Sequence, residues 1–116
     1  MEIPRESVLL RIFTGESEHY DGRPLYEAIV MKARELHLAG ATVLRGTMGF
    51  GKSSRLHTTK ILRLSLDLPL VIEIGDSEEK INAFLPVLEP MMGGGMVTLE
   101  PVRVVHYKGT PPAENA

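Results

Sequence analysis

The spacing of apolar residues switches along this chain between every second position and every third or fourth, and that switching limits the folds it can adopt. From Ser7 to Phe13, Val8, Leu10 and Ile12 alternate with Leu9, Arg11 and Phe13, the period of a strand. Thr14 to Arg23 is polar and turn-rich. Pro24 suits the first turn of a helix, where a missing N–H costs nothing. Leu25, Ile29, Ala33 and Leu36 follow at helical spacing, with Gly40 expected as a left-handed cap. Thr42 to Phe50 reads as a second strand, Lys52 to Thr59 as a polar, basic stretch, and Leu62, Leu64 and Leu66 as a returning strand. Asp67-Leu68-Pro69 is expected to interrupt that strand as a bulge or bend, because proline cannot donate to a ladder. Leu70 to Gly75 continues it. Asp76 and Glu79 have the spacing of a capping box, ahead of a helix with Ile81, Phe84, Leu85 and Leu88 on one side. Pro86 is expected to kink or shorten that helix. After Gly93-Gly94-Gly95, Met96 to Leu99 and Val102 to Tyr107 read as two short strands joined at Glu100-Pro101.

The order strand, helix, strand, strand, helix, strand is the split βαβ arrangement of an α+β, ferredoxin-like sandwich. A chain of 116 residues holds one such domain. Its expected extent is 1–108, with a long loop at about 51–60 and a flexible tail at 109–116. Two helices cover only one face of a four-stranded sheet. The strands nevertheless place apolar side chains on both faces, Leu9 and Phe13 opposite Leu10 and Ile12, and Val71 opposite Ile72. Self-association through the sheet is the simplest way to cover the second set.

Charge and composition exclude several classes. A net charge of −2 gives no bulk attraction to nucleic acid, which is not expected as a partner. With no cysteine there is no disulfide and no thiolate metal centre. The charged N-terminal segment lacks a signal-peptide core, and no apolar run reaches the roughly 20 residues that span a bilayer, so a cytoplasmic protein is expected. His19, His37, His57 and His106 lack metal-ligand spacing, and no metal site is assigned.

Gly46 to Ser53 matches G-x-x-x-x-G-K-[ST], in which loop N–H groups and a helix N-terminus wrap phosphates. Here Gly46 continues a strand, and no apolar helical stripe follows Ser53. A phosphate-touching loop fits this context better than a nucleotide hydrolase does. Gly93-Gly94-Gly95 reads either as a flexible connection or as a nest for anionic oxygens. Arg103 lies mid-strand among valines, the position of an interface ion pair or of a ligand contact.

Gly49-Phe50-Gly51-Lys52 followed by a basic polar stretch resembles the opening of the long T-loop in PII signalling proteins. Asp67-Leu68-Pro69 resembles the return from that loop, and the triple glycine resembles the B-loop. Pro24-Leu25-Tyr26-Glu27-Ala28, Gly40 to Gly46 and Gly49 to Ser54 resemble more closely an uncharacterised PII-like family often encoded near fluoride-channel genes. The resemblance runs from about Ser7 to Lys108. It implies a homotrimer without a catalytic site, binding a small anionic ligand in clefts between subunits. The ligand implied is an adenine nucleotide (ATP, ADP or AMP, with or without Mg²⁺). The carried-over contacts are Gly49, Gly51, Lys52, Ser53, Gly94, Gly95 and Arg103, and Arg55 joins them as a loop cation. The resemblance also implies a protein partner, a membrane channel, transporter or enzyme, docking on the 51–60 loop. Met96 stands where PII has a lysine, Val105 where it has a second arginine, and no tyrosine lies between Lys52 and Lys60, so uridylylation is not implied. Two other functions compete: a small P-loop-like hydrolase, and a CutA-like structural or metal-binding trimer.

Overall fold

The computed structural model describes residues 3–52, 55–58 and 67–109. The expected return strand at 62–66, Ser53, Ser54 and all of the expected tail but Gly109 lie outside the described residues. Strands β1 (Glu6–Gly15), β2 (Ala41–Arg45), β3 (Pro69–Asp76) and β4 (Met96–Arg103) form one antiparallel sheet in the order β2-β3-β1-β4. Helices α1 (Leu25–Glu35) and α2 (Glu78–Leu88) pack on one face. This is the ferredoxin-like α+β architecture that the apolar periods dictate.

Register explains the core. Leu10 pairs with Ile74 and Ile12 with Ile72, so every second side chain of the two central strands meets the helices. Against them lie Leu25, Ile29 and Ala33 of α1 and Ile81, Phe84 and Leu88 of α2, all buried.

Four local expectations are corrected. The left-handed residue closing α1 is His37 (φ 61°), not Gly40. The Leu38 N–H donates to the Ala33 carbonyl at 3.0 Å and the His37 N–H to that of Arg34 at 3.1 Å, the paired bonds of a Schellman cap. Leu38 packs on the core, which fixes the turn there. The N-cap of α2 is Ser77, whose Oγ accepts the Lys80 N–H at 3.2 Å. Asp76 turns inward instead, 1% exposed, and accepts the Ala39 and Ser77 N–H groups at 2.8 and 2.6 Å. The expected strand from Thr42 to Phe50 is broken: β2 ends at Arg45, and Met48–Gly49 forms a separate two-residue ladder with His57–Thr58. Finally, β4 runs unbroken through Glu100-Pro101, and residues 104–109 are not strand. Pro101 is accommodated because β4 is an edge of the sheet.

Pro69 is the first residue of β3, a position that needs no inward donor. α2 passes through Pro86, ends two residues later at Leu88, and gives way to a 3₁₀ turn at Glu89–Met91.

Candidate functional site

The segments predicted to bind phosphate start from one end of the sheet. There β2 ends, β3 begins, β1 ends and β4 begins, with Arg45 opposite Leu70, Gly15 opposite Pro69, and Phe13 opposite Met96. The Gly46 N–H donates to the Pro69 carbonyl at 2.7 Å, after which the chain leaves the sheet as the Met48–Gly49 and His57–Thr58 ribbon.

The glycines of the P-loop-like string divide into two kinds. A Cβ on Gly46 would come within 3.0 Å of the Pro69 ring and one on Gly49 within 3.2 Å, so both glycines make room for that proline. A Cβ on Gly51 would meet nothing within 4 Å. Gly51 has no packing duty, and neither do Gly93 and Gly94, which are equally open. Gly95 differs, with φ +93° and no room for a Cβ beside the Phe13 carbonyl. Among the described residues of 46–58 no helix begins, so the helix N-terminus of a P-loop is missing there.

Lys52 and Arg55 are exposed on the ribbon tip. The stem below them is anchored. His57 Nδ1 lies 3.3 Å from Asp67 Oδ2, an ion pair when the imidazole is protonated, and Asp67 Oδ1 accepts the Ser17 N–H at 3.0 Å. Burial alone would push the Asp67 carboxyl up. The Ser17 N–H and hydroxyl outweigh it, aided by the charges of His57 and Arg55, and hold the carboxyl below its usual range. Arg45 is engaged by Glu16.

The ribbon base and the triple glycine therefore share an end of the sheet but sit at opposite edges, β2 and β4. Three strand spacings of about 4.8 Å, roughly 14 Å, separate those edges. Arg103 is not brought to them. It pairs in register with Glu6 at the far end of β4, roughly 23 Å along the strand from Met96, and its Nε lies 3.8 Å from Glu6 Oε1. Within one chain the glycines and Arg103 are therefore not brought together. Beside the glycine turn, Met91 is buried and Met96 is exposed. A shallow cleft does exist at the Arg103 end, lined by Ile3, Arg5 and Val104 to Tyr107.

Sequence reasoning missed the charges on the uncovered sheet face. Arg11 Nε donates to Glu73 at 2.8 Å and its NH1 to Glu100 at 2.7 Å. The Glu73 hydrogen bond, opposed by burial and helped by the Glu100 charge, holds Arg11 still more firmly protonated. Register puts Leu9, Phe13, Leu44, Val71 and Met96 on the same face around this triad. The signal in the sequence was Arg11 itself, a cation amid an apolar strand. Among the described residues no group of three or more His, Asp or Glu side chains is placed to hold a metal.

A family model, DUF190, described as Uncharacterized ACR, COG1993, matches residues 7–104. A UPF0166 protein of Aquifex aeolicus (strain VF5) is 43% identical over 98 residues, 84% of this chain and 92% of that protein. The UPF0166 protein MJ1524 of Methanocaldococcus jannaschii is 34% identical over 102 residues, 87% of this chain and 92% of that protein. Among solved structures, CPII, a nitrogen regulatory PII-like protein from Thiomonas intermedia K12 bound to ADP, AMP and bicarbonate, superposes with a TM-score of 0.68. It is 16% identical, over 87% of this chain and 90% of that one, a likeness of fold.

Proposed function

The chain belongs to the DUF190 family and has the PII-like fold, and from that premise we propose that it is a regulatory protein and not an enzyme. In this reading it is a homotrimer that binds an adenine nucleotide between copies and signals to a protein partner through the 51–60 loop. One observation carries the reading. The open glycine and exposed cations of the ribbon (Gly51, Lys52, Arg55) and the open glycines of the turn (Gly93, Gly94) lie at the same end of the sheet on opposite edges. Opposite edges of one sheet meet only between copies. There the backbone N–H groups of one chain and the cations of the next would close on a phosphate from both sides. Ser53 would add a hydroxyl, and Gly49 and Gly95 would shape the two walls.

The second sheet face supports a closed assembly, since Leu9, Phe13, Leu44, Val71 and Met96 form an apolar surface that neither helix covers. The adenine nucleotides of CPII make that ligand class the first to test. Titration calorimetry with ATP, ADP and AMP, alongside sedimentation of the free protein, tests both parts. Binding with three chains per particle is expected, with about 2.7 kcal/mol of added stability at 100 times the Kd. A stable monomer that ignores all three nucleotides would overturn the reading. Multiple-turnover phosphate release with Mg²⁺ distinguishes the hydrolase, which needs a held metal and a positioned water in addition to a phosphate cradle.

A further inference from the structure

We propose that the tip of the ribbon is a docking surface for anionic phospholipid. From Leu36 to Leu66 the sequence contains no Asp or Glu, yet it holds five of the chain's thirteen Lys and Arg residues. The rest of the chain carries eight cations against fifteen acids, a net of −7. Along the sequence, positive charge is thus concentrated between Leu36 and Leu66, the stretch that contains the ribbon, while the rest of the chain is acidic. At the tip, Lys52 and Arg55 are exposed and form no close ion pair among the described residues, Arg55 reaching Asp67 only through its charge, whereas Arg45 below them is taken by Glu16.

The apolar side chains there point the same way chemically. Phe50 is 70% exposed, Met48 53% and Leu56 47%. All three lie within the ten residues that carry Lys52 and Arg55. A water-facing loop gains nothing from such side chains, and an acidic surface alone would satisfy only the cations. A bilayer with anionic headgroups rewards both. Each cation near such a surface improves partitioning by about fivefold, and apolar side chains gain by entering the headgroup boundary. The acidic remainder of the chain would be repelled by the same membrane, which leaves the ribbon as the contact.

This inference does not rest on nucleotide binding, and its test reads a different quantity. The full chain is sedimented with vesicles of phosphatidylcholine mixed with phosphatidylserine, and with phosphatidylcholine alone. Binding to the mixed vesicles only, released by high salt, is expected. Phe50→Ser should lower that binding severalfold while leaving the circular dichroism and the nucleotide titration as in wild type. Lys52→Ala with Arg55→Ala should lower it by about twentyfold or more. No partition at low salt, equal partition into both vesicle types, or a Phe50→Ser variant that binds as wild type would each overturn the proposal. Retention on immobilised polyglutamate without vesicle binding would do so too, and would assign the tip to an acidic protein.

Discussion

Gly95 lies so close to the main chain of Phe13 that a Cβ at position 95 would fall 2.2 Å from the Phe13 carbonyl oxygen. Its φ of +93° is also one that side-chain-bearing residues rarely adopt. The turn from the second helix into β4 is therefore fixed at Gly95, whereas Gly93 and Gly94 are unconstrained. Gly95→Ala should destabilise the protein by roughly 3 kcal/mol, while Gly94→Ala stays within about 0.5 kcal/mol of wild type. Urea denaturation of the two variants checks this, and equal costs would refute it.

Gly46 and Pro69 should prove coupled. Gly46→Ala pushes a methyl group into the Pro69 ring and should cost about 1–2 kcal/mol. With Pro69→Ala in the background the same change should cost much less, a coupling visible in a double-mutant cycle. Additive costs would mean that the ring does not explain the glycine.

Lys52 and Arg103 should separate in nucleotide titrations. Lys52→Ala is expected to weaken affinity by tenfold or more, since a hydrogen bond to a charged group contributes about 1.5–3 kcal/mol. Arg103→Ala, at the far end of β4, should leave affinity within about twofold. The reverse ranking would place the ligand in the cleft beside Arg5 and His106 instead.

Arg11 should control assembly. Its loss leaves Glu73 and Glu100 facing each other without a cation on a surface that the trimer would bury. Arg11→Ala is expected to raise the dissociation constant of the assembly by about tenfold or more, read by sedimentation across a dilution series. An unaltered distribution of species would show that the uncovered face is not the contact.

Asp67 sets an acid limit on the ribbon stem. A carboxyl held below its ordinary value of 3.8 stabilises the fold at every pH above that value. The contribution is then lost as pH falls through the lowered one. Asp67→Asn should be less stable than wild type at neutral pH, and the gap should begin to narrow only below about pH 4. A gap that stays constant into acid would contradict the hydrogen bonds assigned to Ser17 and His57.

The order of elements was legible because each one states its own period: Leu10 and Ile12, Leu25 with Ile29 and Ala33, Leu70 with Ile72 and Ile74, Ile81 with Phe84 and Leu88. Those periods are local, and so they survive reading one residue after another. The errors lie where a distant contact decided between local equals. Asp76 and Ser77 are both good caps, and the Ala39 N–H, 37 residues away, draws Asp76 inward and leaves the cap to Ser77. His37 takes the left-handed position because Leu38 must reach the core. Of the candidate site, the residue types were legible and their grouping was not. Arg103 follows the glycine turn closely in sequence, but an extended strand carries it to the other end of the molecule. Arg11 meets carboxylates 62 and 89 residues away, a meeting that only strand register reveals.

The proline in β4 has a consequence for how large any assembly can grow. A sheet with a free edge invites another strand, and that strand offers its own edge in turn, so stacking along an edge has no natural end. In an edge strand, proline sits where its nitrogen faces outward. At Pro101 that nitrogen has no hydrogen to give, and the ring takes up the space of an incoming strand. Lateral addition is checked at that edge, so open-ended stacking of sheets edge to edge is interrupted, and an assembly that closes through the faces is favoured. Face contacts around an axis close on themselves, so the number of chains is finite and is set by geometry, not by concentration.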